Sequence, residues 1–204
     1  MDRVVKEIVL RRGGIVELFD LRYPYGVEDT TEFGFEESVK LYPGDLVVIA
    51  GEGNRGKTAL CLNIAANNME KHKIIYFTSE FHEEKFLDRI ANVNWVDVWK
   101  ENGQLKFTLA ELEENYVDKL QSGYINILDW VRLDDEQWKI NAIMKKIQDK
   151  LGGKGLAVIS MQKRSFKKVA VGGEGSLDYA SLYLTISYNE ERKRNILKVE
   201  KVKT

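Results

Sequence analysis

The sequence predicts an α/β protein: a mostly parallel β-sheet sandwiched by helices and closed by a C-terminal β-hairpin. Three observations carry that expectation. Short apolar runs alternate with stretches of helical spacing, the pattern that builds parallel sheets with helices on both faces. The run Leu46-Val47-Val48-Ile49-Ala50 passes through a glycine-rich turn straight into the helical composition of Ala59-Leu60-Cys61-Leu62-Asn63-Ile64-Ala65-Ala66. The last two apolar runs, Tyr183 to Tyr188 and Ile196 to Val202, flank the polar stretch Asn189 to Arg194 and read as a hairpin.

In chain order, Val4 to Leu10 and Ile15 to Leu18 read as short strands around Gly13-Gly14, with Pro24 and Gly26 marking a turn. Tyr42-Pro43-Gly44-Asp45 is a tight turn feeding the strand at 46–50. The helix from about Lys57 to Met69 gathers Leu60, Cys61, Ile64, Ala65 and Met69 on one face. Lys73 to Ser79 reads as the second strand, and Phe86, Leu87, Ile90 and Ala91 are spaced for a helix. The stretch from Asn92 to Phe107, with Trp95, Trp99 and a Gly103 turn, carries no clear period. Leu109, Leu112, Tyr116 and Leu120 predict a further helix ended by Gly123, before a strand over Tyr124 to Asp129. Ile140, Ile143, Met144, Ile147 and Leu151 predict an amphipathic helix stopped by Gly152-Gly153. Leu156 to Met161 is the next strand, and residues 163–175 are polar, basic and glycine-rich, hence a loop.

Composition narrows the function classes. With 204 residues, 44% hydrophobic and 31% charged, the chain can bury a sizeable core. Its net charge of −1 means that any nucleic-acid contact must come from a local basic patch. A single cysteine, Cys61, excludes an internal disulfide framework and suits a reducing cytoplasm. No run approaches the ~18 apolar residues of a membrane span, and the N-terminus lacks the apolar centre of a secretion signal.

The stretch between the first strand and its helix is the most informative. Gly51-Glu52-Gly53-Asn54-Arg55-Gly56-Lys57-Thr58 matches G-x-x-x-x-G-K-[ST] at every fixed position, in the strand–turn–helix context that gives the motif meaning. The loop N–H groups converge on one point, a nest for phosphate oxygens, and the helix start adds its positive dipole end. Residues 51–58, with Ala59 behind them, are therefore expected to hold ATP. Lys57 reaches the β- and γ-phosphates, and Thr58 offers a hydroxyl to Mg²⁺. A glycine turn with a chance lysine is the poorer account of a match at all four fixed positions of an eight-residue motif.

In open parallel sheets the ligand lies at the carboxyl ends of the strands. Asp129 ends one such strand, where it either joins the Mg²⁺ shell or caps the turn at Val131-Arg132. Glu80 ends another, as a general base for the attacking water or as a helix-start acid ahead of Glu83 and Glu84. Gln162 ends a third; its amide can donate to a γ-phosphate and accept from water, or be an ordinary loop glutamine.

The order Gly51–Thr58, Ser79-Glu80, Ile127-Leu128-Asp129, Ser160-Met161-Gln162 resembles the RecA-type ATPase core, nearest its replicative-helicase (DnaB-like) and bacterial RadA branch. Leu41 to Gly51 resembles that branch's entry into its nucleotide loop, and Tyr76-Phe77-Thr78-Ser79-Glu80 its strand ending in the catalytic glutamate. The resemblance covers about residues 33–203, making 33–204 the ATPase domain and 1–32 an extension that can pack on a neighbouring subunit. It implies Glu80 as base, Asp129 as magnesium partner and Gln162 as sensor. It also implies an oligomer, a hexameric ring or a filament, acting on single-stranded DNA.

Two further roles come with the resemblance. The loop behind the sensor strand contacts DNA in the family; here it offers Lys163, Arg164, Phe166, Lys167 and Lys168, cations around an aromatic ring. A solvated basic loop is the competing reading. A Lys-x-Arg or Lys-x-Lys pair on the last strand serves the neighbour's γ-phosphate in the family, and Lys201 and Lys203 match the lysine form. Lysines guarding an edge strand are the alternative. The segment after Asp129 is shorter than in the helicases, and residues 1–32 do not match their long amino-terminal domain. The rival functions are an ATP-switched regulator of a protein client and, last, a small-molecule kinase with Arg164 or Lys168 in a lid.

Overall fold

A computed structural model describes residues 17–24, 39–79, 83–131, 139–164 and 167–203. The strands are β1 (Leu46–Gly51), β2 (Ile74–Thr78), β3 (Thr108–Glu111), β4 (Ile125–Val131), β5 (Leu156–Gln162), β6 (Leu182–Asn189) and β7 (Arg194–Val202). The helices are α1 (Lys57–Asn68), α2 (Glu83–Ala91), α3 (Tyr116–Lys119), α4 (Ile140–Leu151) and α5 (Glu174–Asp178). One seven-stranded sheet results, in the order β3-β2-β4-β5-β1-β6-β7. The pairings from β3 to β6 are parallel, and β7 returns antiparallel on β6. The expected α/β sandwich and C-terminal hairpin are therefore present, and the hairpin's first strand extends the sheet directly beside β1.

The central strands are apolar throughout because both faces are covered. Val47, Ile49, Ile125, Ile127 and Val158 point to one layer with Cys61, Ile64 and Ala65 of α1 and Phe86 and Ile90 of α2. Val48, Ala50, Leu128 and Ile159 point to the other, against Met144, Ile147 and Leu151 of α4. The entry turn is as expected: Asp45 N–H donates to the Tyr42 carbonyl at 3.0 Å and Tyr42 N–H to Asp45 Oδ2 at 2.7 Å. Gly44 sits there at φ 94°, and a Cβ would lie 2.8 Å from the Gly153 Cα, so turn and α4 terminus approach more closely than any other residue allows.

Two expectations change. The apolar residues from Leu109 to Leu120 do not form one helix. Thr108–Glu111 is the edge strand β3, paired parallel with β2, and the helix is the short α3. Leu109 packs into one core layer while Leu112 and Tyr116 pack into the other, so the i, i+3 spacing is alternation across a sheet edge. The loop assigned to 163–175 is closed by a Lys163–Ala170 bridge and gives way to α5 at Glu174. The unassigned stretch before β3 turns at Gly103, with Trp99 bridging Leu105 in antiparallel fashion.

Of the two amino-terminal strands expected, only Glu17 and Leu18 fall within the described residues, and they are irregular. Residues 17–24 pack on their own chain. Buried Asn68, at the end of α1, accepts from the Arg22 N–H at 2.9 Å and donates to the Arg22 carbonyl at 2.8 Å. Asn67 donates to the Tyr23 carbonyl at 3.0 Å, and Phe19 stacks on His72 at 4.8 Å.

Candidate functional site: the loop between β1 and α1

The motif residues lie where the fold concentrates ligand-binding groups, between the carboxyl end of β1 and the start of α1. Gly56 caps α1 in the left-handed region at φ 88° and makes no side-chain cap hydrogen bond. Asn54 also has positive φ, 57°, and left-handed residues of this kind are what a backbone nest for anions is built from. Lys57 is 4% exposed and folds back over the loop, its Nζ donating to the Glu52 carbonyl at 2.7 Å. The Glu52 carboxylate lies between two further cations, Arg55 Nε at 3.8 Å and Lys163 Nζ at 3.9 Å. The Arg55 guanidinium in turn lies over the Tyr188 ring at 4.9 Å, tying the loop to the end of β6.

Sheet register brings the other candidates to this end. Gln162 lies directly beside Gly51, exposed, at the end of β5. Asp129 lies beside Thr78 on β4, where the β4–β5 pairing shifts register between Leu128 and Val131. A bulge at that point re-aims the strand's side chains. Asp129 is 2% exposed, and its Oδ2 accepts a 2.7 Å hydrogen bond from the buried Tyr76 hydroxyl. Its Oδ1 is buried and has no hydrogen-bond partner among the described residues. Burial pushes the Asp129 carboxyl above its usual range; the hydroxyls of Tyr76, Thr58 and Ser160 oppose that shift. Burial and the nearby carboxylate likewise raise the Tyr76 hydroxyl and the Cys61 thiol.

This donor set fits Mg²⁺. The Thr58 hydroxyl and the Asp129 Oδ1 without a hydrogen-bond partner would be hard ligands from adjacent elements. No group of three or more His, Cys, Asp or Glu side chains able to hold a metal occurs among the described residues. One carboxylate and one hydroxyl make a site for a metal that arrives with phosphate oxygens, not an all-protein cage.

Other expected residues fall differently. Glu80 and Phe166 lie outside the described residues. Lys163, expected to face nucleic acid, is 5% exposed and turned toward Glu52. Its backbone N–H bonds to the Gly51 carbonyl at 2.9 Å, which holds the residue over the end of β1 and explains the burial. Arg164, Lys167 and Lys168 are exposed. A recess of about 330 Å³ opens beneath the loop, lined by Lys167, Lys168 and Lys198 with Thr185 and Ser187. Lys201 and Lys203 lie at the far end of the sheet, since Lys201 pairs with Tyr183 and Leu182 stands beside Val47. Neither therefore serves the loop of its own chain. Lys203 is exposed, while Lys201 Nζ caps α5 by donating to the Leu177 and Asp178 carbonyls at 2.7 and 3.1 Å.

The family model for DnaB-like helicase C terminal domains matches residues 35–201. The chain belongs to the DnaB-like helicase C-terminal domain family. Among curated relatives, a probable replicative DNA helicase of Trieres chinensis is 32% identical over 111 residues, 53% of this chain and 19% of that protein. The replicative DNA helicase DnaB of Buchnera aphidicola is 28% identical over 108 residues, 52% of this chain and 19% of its own length. The matches thus span about a fifth of each helicase. Among solved structures, a KaiC-like protein of Pyrococcus horikoshii shares the fold with a TM-score of 0.66 at 15% identity, over 92% of this chain and 89% of that one.

Sequence reasoning passed over three site residues. In the sequence Tyr76 reads only as strand, yet it sits on the α1-facing side of β2 beside Ile127, and its hydroxyl reaches Asp129 two residues further along β4. Arg89 and Trp95 border the loop from α2 and the segment beyond it. The even numbering of Tyr76 and Thr78 was the available signal for Tyr76; Arg89 and Trp95 had none.

Proposed function

We propose that this chain is a Mg²⁺-dependent ATPase that works as a ring or filament and couples hydrolysis to binding or movement on single-stranded DNA. The observation that carries the reading is one site uniting the motif loop, Lys57, Thr58 and a buried Asp129 with an unpaired oxygen. In this reading the loop amides and the α1 terminus bind the triphosphate, and Lys57 leaves the Glu52 carbonyl for the β- and γ-phosphates. Bound Mg²⁺, held by Thr58 and Asp129, supplies charge neutralisation at the phosphates. Glu80 takes the proton of the attacking water, and Gln162 senses the γ-phosphate at the edge of Gly51. Lys203 of a neighbouring subunit completes the site, joined by Lys201 once it leaves the α5 cap. Arg164, Phe166, Lys167 and Lys168 meet the DNA backbone and bases. The relatives' names, replicative DNA helicases, support this client. The single buried cysteine accords with a cytoplasmic setting.

The test is steady-state ATP hydrolysis with Mg²⁺, with and without single-stranded DNA, at low and moderate salt. Stimulation that fades with salt is expected, because phosphate contacts release counterions. Hydrolysis indifferent to DNA would refute the DNA-coupled reading in favour of an ATP switch acting on a protein client.

A further inference from the structure

The short helix α5 lies between the basic loop behind β5 and Lys201 on β7, and it is bonded to both. Tyr183 and Lys201 are register partners on the β6–β7 pair, so their side chains rise from the same face of the sheet. On that face Tyr183 meets the first turn of α5, and Lys201 meets its end.

The hydrogen bonds at Tyr183 have one consistent direction. Ser176 has a single hydroxyl hydrogen and donates it to the Gly173 carbonyl at 2.8 Å. The 3.0 Å contact between the two hydroxyls is therefore donated by Tyr183. The Tyr183 oxygen in turn accepts the Ala170 N–H at 2.7 Å. Donation runs without a break from Ala170 through Tyr183 and Ser176 to Gly173, the residue that caps α5. Water has no access to this chain: Tyr183 and Ser176 are fully buried, and Ala170 is 3% exposed. Burial also pushes the Tyr183 hydroxyl above its ordinary range, which keeps the proton that the chain needs.

Ala170 closes the base of the basic loop through its bridge to Lys163, and Lys167 and Lys168 stand just before it. A pull on those lysines reaches Ala170 first. The five residues of α5 lie tight on the start of α4, where a Cβ on Gly175 would run into Asn141 and Ile140. So closely packed a helix answers a displaced Ser176 as one piece. At its far end the Leu177 and Asp178 carbonyls hold the Lys201 amine at 2.7 and 3.1 Å.

We infer that Tyr183 is a positioning residue that couples the basic loop to Lys201. DNA bound at Lys167 and Lys168 displaces Ala170, and the two hydroxyls carry the displacement to α5. The Lys201 amine is then released to a neighbouring subunit's phosphates. The inference rests on the DNA-coupled ATPase reading and adds what frees the lysine.

The test is steady-state ATP hydrolysis by the full chain against single-stranded DNA concentration. It compares wild type, Tyr183→Phe, Ser176→Ala and the double variant, with thermal unfolding to verify folding. Coupling between two sites is typically about 5–150-fold, so each single variant is expected to lower the DNA-stimulated rate at saturating DNA by at least about fivefold. The rate without DNA is expected to stay unchanged. The double variant is expected to lose no more than the singles, because one chain is cut once. In a Lys201→Ala background, Tyr183→Phe is expected to have no further effect. Full stimulation in folded Tyr183→Phe would overturn the link, as would equal loss of rate with and without DNA, the mark of a merely structural role. A further drop in the Lys201→Ala background, or losses that multiply in the double variant, would overturn it too. A wild-type chain whose hydrolysis ignores DNA would instead sink the DNA-coupled reading, and the link with it.

Discussion

Replacing Tyr76 by Phe removes one oxygen and tests how Asp129 is held. The Tyr76 hydroxyl donates to Asp129 Oδ2 at 2.7 Å, with Tyr76 fully buried and Asp129 2% exposed. Water cannot readily take the donor's place at that depth. Hydrogen bonds to charged groups contribute about 1.5–3 kcal/mol. The loss falls on the ionised carboxylate, the form a metal needs. Groups that orient a metal ligand from behind typically govern about 10–100-fold in affinity, the same range in free energy. Burial already raises the Asp129 pKa and the Tyr76 bond lowers it, so Phe raises it further. Protons then compete better with Mg²⁺, and the acid limb of the pH–rate profile moves toward neutrality. The assay is ATP hydrolysis against Mg²⁺ concentration across pH, with thermal unfolding as the control for folding. A rise of about tenfold or more in half-saturating Mg²⁺, partly rescued at higher pH, is expected. An unchanged Mg²⁺ requirement and pH profile in a folded Tyr76→Phe protein would refute the argument.

The same burial makes Asp129→Asn a stabilising change in the ligand-free chain. Because the native pKa is raised, the native state binds more protons than the unfolded chain between the two values, and stability falls as pH rises through that window. Asparagine avoids the cost, so Tm at neutral pH should rise by ~2–4 °C for a gain on the order of 1 kcal/mol. The difference should vanish below about pH 3.9, the unfolded value; an equal shift at all pH would point to packing instead. For the trans site, mixtures of Lys57→Ala chains with Lys201→Ala/Lys203→Ala chains should recover hydrolysis that neither has alone. Verified mixed oligomers with no recovery would remove the lysine pair from the neighbour's site.

Local chemistry determined what could be read without the fold. The motif Gly51–Thr58 announces itself because loop conformation, helix start and lysine all lie within eight consecutive residues. Most strands and helices follow from short-range periodicity, and Asp129 and Gln162 stand out because each ends an apolar run. What depends on neighbours in space stayed hidden. Leu109 and Leu112 suggest a helix until the open edge of β2 pairs with Thr108–Glu111 as a strand and accepts the Leu112 N–H at Thr78. Lys163 looks like any loop cation until its N–H bonds to the Gly51 carbonyl and its amine turns to Glu52. Lys201 reads as a free edge lysine until α5 offers it two carbonyls. Tyr76 and Asp129 are 53 residues apart, and only the adjacency of β2 and β4 brings hydroxyl and carboxylate together. The strand order β3-β2-β4-β5-β1-β6-β7 is set by long-range pairing and burial, terms that no local window of sequence contains. The sequence by itself therefore determined the loop for phosphate and the alternating elements. The tertiary structure decided which side chain holds Asp129 and which cations face inward, because both depend on neighbours far apart in the chain.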